Sequence, residues 1–478
     1  MRLLLDANSA GLELQMSQVR LAKNIEELGR AAAPVSRTQR ARSASGPIAL
    51  GPTAHWFLDW AGHPTPHWNV VTAATSRGPL DAAILAEAAL AASSGHDAFR
   101  FGLDRDGAAW RSYLRDEPRL AVDRIELAGL PVEQHRDALR TAADAVHAAV
   151  GITGGPPARL LHVDRGAGRG AVVMVCANHL ISDAYSQAVI LQDVEIAYEQ
   201  LAAGEPLALP RPTATMREWT DALVRLAGWP EVEAERDHWL RTLGDGVPTV
   251  PLDFPTGRNT SEAVVSCDVG LSRERTRLLF PASDRPGRRR TLVVLLTAIA
   301  VAWARWTGRS ELAFGLLSHG RDAAAHGLDL RRTVACTTYA IPVRVALPAR
   351  GDPGEVAVAV RGALAAAPRV GIGYTLLRHL RGDERLTGIP EPEISINYRG
   401  RLAPAGHSLL SQRLAPLSGV RLDPGPARSM ILEVDMVVEN GELRTRWLYC
   451  RNLHRPESIS AVAADYLATL NDLLDEGI

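Results

Sequence analysis

The chain has 478 residues, 46% of them apolar and 22% charged, with a net charge of −1. That length exceeds one ordinary core and calls for two to four domains or two large lobes, with the composition of a folded rather than a disordered chain. The near-zero charge gives no electrostatic case for nucleic acid or an anionic membrane surface as partner. Lys23 is the only lysine, which argues against a Walker-type nucleotide site and against a pyridoxal phosphate Schiff base.

The first 46 residues read as an arm: a helical stretch at 25–33 is followed by an Arg-, Ser- and Ala-rich run at 34–46. The segment around Ser9 faintly resembles the back half of a peptidyl carrier domain without its front helix. From 47 to 210 the pattern alternates. Extended segments are expected at 68–72, 99–103, 160–163 and 172–177, and helices at 80–92, 132–150 and 184–203. A Pro-rich connector at 206–212 leads into helices at 216–226 and 231–243. A second lobe over 211–478 repeats the style, with helices at 291–306 and 354–366, strands at 312–317, 334–345 and 394–398, and a hairpin at 431–449 turning at Glu439-Asn440-Gly441. The apolar stretch 291–306 is interrupted by Arg305 and too short to span a bilayer, and residues 1–13 lack the pattern of a signal peptide, so a cytoplasmic, non-membrane protein is expected. Cys176, Cys267, Cys336 and Cys450 form no CxxC pair and read as buried thiols, and the scattered histidines and missing dinucleotide fingerprint predict no bound metal or cofactor.

The residues best placed for chemistry follow the apolar run Val172-Val173-Met174-Val175-Cys176-Ala177: Asn178, His179 and, four positions beyond the histidine, Asp183. An imidazole at the exposed end of a buried strand can take a proton near neutral pH, and a carboxylate one turn on can hold the turn and ring in place. On spacing alone, a satisfied structural histidine remains the plainer reading.

The neighbourhood changes that balance. Asn178-His179-Leu180-Ile181-Ser182-Asp183-Ala184 resembles the HHxxxDG core motif of the condensation and epimerization superfamily of nonribosomal peptide synthetases. Further segments resemble that superfamily's other motifs in the same order. They are Pro47 to Phe57, His67-Trp68-Asn69, His96-Asp97-Ala98-Phe99-Arg100, Leu209 to Trp219, Leu252 to Pro255, Leu317-Ser318-His319-Gly320-Arg321-Asp322, Arg332 to Pro342, Pro368 to Tyr374 and Ile396-Asn397-Tyr398-Arg399-Gly400. The epimerization branch is the nearer one. The resemblance implies an α/β fold of two chloramphenicol-acetyltransferase-like lobes in a V-shaped pseudodimer with a tunnel between them. It also implies substrates delivered on the phosphopantetheine of peptidyl or acyl carrier proteins, with a small molecule or second carrier-bound group as acceptor. His179 matches the catalytic second histidine and Asp183 the aspartate that pairs with an arginine, here Arg100 or Arg321. Ser182, Ala184, Leu317, Ser318, His319 and Tyr398 fall on positions expected to face substrate.

The departures from the family matter for function. Asn178 replaces the first histidine and can still hydrogen-bond to the turn, while Ala184 replaces the motif glycine and narrows the space beside the histidine. Leu317 stands where epimerization domains carry a glutamate that acts as acid–base partner, and Asp322 and Glu433 are the nearest candidates for a substitute acid. Cys336 and Thr337 replace a Trp-Phe pair, which predicts a reshaped tunnel lining. Acyl transfer needs little beyond one histidine and alignment of the two substrates, with backbone N–H groups or Ser182 as oxyanion donors. The first reading is therefore a free-standing condensation-type acyltransferase forming an amide or ester, the second an epimerase with a substitute acid, and the third an inactive platform that recruits carrier proteins or tailoring enzymes.

Overall fold

The computed structural model describes residues 12–13, 25–31, 33–34, 43–61, 68–107, 109–166, 168–244, 246–280, 288–321, 327–348, 352–368, 371–401, 409–414 and 428–477. Ser9, His67 and Asp322, all singled out above, lie outside the described residues. Two compact units partition the chain. One comprises Met1–Arg225, Arg321–Thr337 and Ala405–Asp423, and the other Leu226–Gly320, Thr338–Pro404 and Pro424–Ile478. Neither unit is contiguous in sequence.

The first unit is organised by a five-stranded sheet in the order Leu410–Leu414, Asn69–Ser76, Val172–Asn178, Ala158–Asp164, Leu120–Glu126. All neighbours are antiparallel except the last two, which are parallel and joined by the helix Val132–Ala149 as a crossover requires. That helix buries Ala143 and Val146 against Leu161, Val163, Met174 and Cys176. Val172–Asn178 is the middle strand, and its seven residues are all buried, which explains its unbroken apolar run. The helices Ala82–Ser94 and Ala184–Ala202 pack on each other, and each begins at an aspartate cap. Asp81 accepts from the N–H groups of Ala83 and Ile84 at 2.8 and 3.0 Å, and Asp183 accepts from Ser186 at 2.7 Å. A small sheet pairs Ala109–Leu114 with Phe101–Asp106 and with Gly46–Pro47.

The second unit has a six-stranded sheet in the order Val264–Leu271, Glu442–Cys450, Leu432–Glu439, Ile394–Arg401, Glu311–Ser318, Tyr339–Ala346. Its core joins Val293 to Trp303 of the helix Arg288–Thr307 with Ile459, Tyr466 and Leu470 of the helix Pro456–Asp475 and with Trp447 and Val434 of the sheet. By length and composition alone the stretch Arg290–Thr307 could cross a membrane. Two-thirds of it is buried in this unit, where it serves as the central core helix. The hairpin turns on Asn440 (φ 51°) and Gly441 (φ 83°), the Asn-Gly pair suited to a two-residue turn with both central φ values positive.

Three expected elements differ from the structure. Residues 231–243 form two helices, Pro230–Ala234 and Arg236–Leu243, which meet at Glu235, whose N–H bonds three residues back to the Val232 carbonyl at 3.1 Å and whose carboxylate takes the Trp239 indole N–H at 3.2 Å. The extended segment expected at 99–103 begins as a tight helical turn, Asp97–Arg100, before the strand Phe101–Asp106. Of the strand expected at 334–345, only Tyr339–Ala346 exists. The preceding residues give their backbone groups to the first unit's helix Ala184–Ala202 rather than to a strand ladder.

Gly170 lets the chain enter the middle strand beside Ser76, since a Cβ there would lie 1.7 Å from the Ser76 carbonyl oxygen. Gly170→Ala should therefore destabilise the protein by about 2 kcal/mol or more. Gly129→Ala, with nothing within 4 Å of its Cβ position, should stay within about 0.5 kcal/mol of the parent in urea-denaturation midpoints.

Candidate active site

The middle strand Val172–Asn178 ends by delivering two side chains in opposite senses. Asn178 is fully buried: its Oδ1 accepts from the Leu180 N–H at 3.0 Å, and its carbonyl accepts from the Ile181 N–H at 3.1 Å. It shapes the turn, as its replacement of the first motif histidine allows. Its Nδ2 has no hydrogen-bond partner among the described residues. His179 is half-exposed. Its backbone N–H donates to the Trp68 carbonyl at 2.8 Å, and its ring stacks on the Trp68 indole with centroids 4.7 Å apart and planes at 19°. Trp68 in turn stacks on the buried Phe57 at 3.9 Å and 9°. The imidazole is thus the outer layer of a three-ring stack, which fixes its plane.

Asp183 caps the helix Ala184–Ala202 and is also the anionic half of a buried ion pair. Arg321 approaches it at 2.9 and 3.1 Å to the two carboxylate oxygens, both side chains being about 97% buried. Thr337 adds two bonds to Oδ2, from its N–H at 3.2 Å and its hydroxyl at 2.7 Å. Burial pushes the Asp183 carboxyl up, but the Arg321 guanidinium and the hydrogen bonds from Ser186 and Thr337 outweigh it and hold the group below its ordinary value. Both of its oxygens are thus engaged in holding the turn. Arg321 also donates to the carbonyls of Leu330 and Thr333 at 2.5 and 2.8 Å, and its guanidinium lies 4.1 Å from the Tyr185 ring centroid. The other arginine considered, Arg100, bonds instead to Asp97, the Arg115 carbonyl and the Ser43 carbonyl.

A second buried pair repeats the device further along the same helix. Arg332 meets Asp193, bonds to Gln192 at 2.9 Å, and shares Asp193 with His96 at 2.9 Å. Between these anchors, Ser186 Oγ donates to the Ala335 carbonyl at 2.8 Å and accepts from its N–H at 3.1 Å. The segment carrying residues 330–337 is thereby fastened to the helix that follows the histidine. Its consequence is a contact that the sequence reading did not foresee: Cys336 Sγ lies 3.6 Å from His179 Nδ1. The signal was present in the replacement of a motif tryptophan by cysteine, but spacing could not show which way the thiol faced. Trp68, quoted for its motif, likewise gave no sign that its ring would carry the histidine.

The remaining expected site residues are placed as follows. Ser182 is fully buried, its hydroxyl donating to the Asp183 carbonyl at 3.4 Å and accepting from Gln187 Nε2 at 3.1 Å. It neither caps the helix nor presents itself to solvent, because Asp183 takes the cap. Ala184 is the exposed first residue of the helix, and Asn440 is the only non-glycine with positive φ among the described residues. The backbone at 184 thus does not require the glycine it replaces. Leu317, Ser318 and His319 are half-buried at the end of the strand Glu311–Ser318 and beyond it, in the second unit. Tyr398 packs inside that unit's hydrophobic core, which corrects its assignment to the substrate. Glu433, considered as a substitute acid, is paired with Arg428.

A family model for the condensation domain matches residues 51–477, and the chain belongs to the condensation-domain family. It is 31% identical to chondramide synthase cmdD of Chondromyces crocatus and 29% identical to a linear gramicidin synthase of Brevibacillus parabrevis, in each case over 98% of its own length. It spans only 12% and 6% of those two proteins. Its fold is similar to the epimerization domain from the third module of tyrocidine synthetase B, with a TM-score of 0.81 and 22% identity over 92% of this chain and 99% of that one.

If the Asp183 carboxylate holds the turn, Asp183→Ala should cost about 3–5 kcal/mol by leaving Arg321 buried without its counter-charge. The pH dependence has a definite sign. Since the folded pKa is depressed, the contribution is complete above the unfolded value of about 4 and is lost as pH falls through the folded one. Urea titrations should show a gap between the parent and Asp183→Asn that is constant from about pH 8 to about pH 5 and narrows below about pH 4.

Proposed function

We propose that the protein is a condensation-type acyltransferase that joins a carrier-tethered acyl or aminoacyl thioester to an amine or alcohol. His179 positions and deprotonates the acceptor. The observation that carries this reading is the state of the imidazole: half-exposed at the end of a buried strand and held in plane by Trp68. A base so fixed loses little orientational freedom when the acceptor arrives, and alignment of two substrates supplies much of the rate. The donor arrives on phosphopantetheine of a peptidyl or acyl carrier protein, and no resident metal or cofactor takes part. The reaction belongs in the cytoplasm, where such assembly would occur.

Epimerization is the second reading, favoured by the His319-Gly320-Arg321 sequence and the epimerization-like order of motifs. It requires a proton removed from one face of the α-carbon and another delivered to the opposite face. Leu317 cannot supply that proton, and Glu433 is engaged by Arg428. A third reading, an inactive recruitment platform, makes no use of the fixed imidazole.

Incubation with aminoacyl-N-acetylcysteamine thioesters and an amine acceptor in deuterated water separates the three. Amide product without α-deuterium is expected, with His179→Ala slowing its formation by about 10²–10⁴-fold. Deuterium at the α-carbon of recovered thioester would replace transfer by epimerization. Indifference of all readouts to His179→Ala would favour the platform.

A further inference from the structure

We propose that Cys336 is a covalent acyl relay: its thiol takes the acyl group from the carrier-tethered thioester, and the acceptor then attacks the acyl-cysteine. The inference rests on the acyl-transfer reading above and extends it from one displacement to two.

The argument begins with the pairing of groups. A thiol sulfur 3.6 Å from an imidazole Nδ1 is within hydrogen-bonding reach for sulfur, and thiol plus adjacent base is the arrangement that generates a nucleophilic thiolate. Both residues are half-exposed. Cys176 and Cys450 offer a contrast, since both are buried and burial pushes the Cys176 thiol far up, which keeps it inert.

The pair is also held rather than incidental. The residues on either side of Cys336 are each locked by hydrogen bonds, Ala335 to Ser186 and Thr337 to Asp183. The histidine ring is stacked on Trp68. Base, nucleophile and an element that orients the base are the components of a nucleophilic site.

The chemistry balances without any further reagent. Nδ1 accepts the Cys336 proton, which places the neutral ring's own hydrogen on Nε2. The sulfur bonds to the thioester carbonyl carbon, the bond to the pantetheine sulfur breaks, and that leaving thiolate takes the proton back from Nδ1. The first half-reaction exchanges one thioester for another, so little driving force is lost. In the second, the acceptor N–H or O–H gives its proton to Nδ1 as its heteroatom bonds to the acyl carbon, and Cys336 leaves as a thiolate that recovers that proton. The donor carrier can then depart before the acceptor arrives, which is double-displacement behaviour.

Octanoyl- and leucyl-N-acetylcysteamine thioesters, acid-quenched without acceptor and followed by peptide mass spectrometry, test the relay on the intact chain. The expected result is an acyl adduct on the Cys336 peptide, absent from Cys336→Ala, slowed by His179→Gln, and persisting as an ester in Cys336→Ser. Iodoacetamide labelling provides an independent readout: His179→Gln should slow alkylation of Cys336 at pH 6.5 by roughly tenfold, reflecting loss of the thiolate-promoting base. Circular dichroism of each variant establishes that it is folded. If Cys336→Ala transfers acyl groups to an amine at the parent rate while His179→Ala does not, the relay is overturned and the acyltransferase reading stands. If neither substitution alters transfer, both fall. Should the thioesters not be turned over, unchanged alkylation in His179→Gln by itself overturns the relay.

Discussion

The organisation of the site depends on one buried ion pair, Arg321 with Asp183. Both charges are almost wholly removed from water, a placement whose desolvation cost is recovered only through close pairing and additional hydrogen bonds. Here the carboxylate receives Arg321, Thr337 and the Ser186 N–H, while the guanidinium also reaches two carbonyls and the Tyr185 ring. An apolar pair of equal volume would pack as well, but it would not specify where the segment 321–337 must lie. The pair converts a stretch distant in sequence into part of the first unit, and Arg332–Asp193 repeats the constraint further along the same helix.

From that constraint the local chemistry follows. Asp183 is the shared acceptor for Arg321, Ser186 and Thr337, and the proposed acyltransferase reading therefore assigns proton handling to His179. The histidine is fixed by different means: a strand terminus, a backbone bond to Trp68 and a stack of aromatic rings. Two independent scaffolds therefore meet at the imidazole, one setting its plane and the other setting what stands against Nδ1. The substitution of a bulky motif aromatic by Cys336 is meaningful only because the second scaffold places that position so closely.

Much of this was legible in the residues. The buried strand before Asn178, the helix after Asp183 and the Asn440-Gly441 turn are encoded locally, by an apolar run, a cap and a turn pair, and they appear within a few residues of expectation. The strands Ala109–Leu114, Leu120–Glu126 and Val264–Leu271 escaped notice because they are mixed in polarity, partly exposed and stabilised by their sheet partners more than by their own pattern. The failure at 334–338 has a sharper cause. Its β-branched residues favour a strand, but its backbone groups are claimed by Asp183 and Ser186, a long-range competition that no local window contains. The same limit hid the pairing of Cys336 with His179 and left the choice between Arg100 and Arg321 open until their partners were seen.

Hydrogen–deuterium exchange of the peptide spanning 330–338 tests the central claim most directly. If Arg321 and Asp183 fasten this segment, the amides of Ala335 and Thr337 are protected in the parent, and Arg321→Met accelerates their exchange by at least about tenfold while the middle strand Val172–Asn178 stays protected. Equal exchange of that peptide in both proteins, with the substitution folded, would contradict the account.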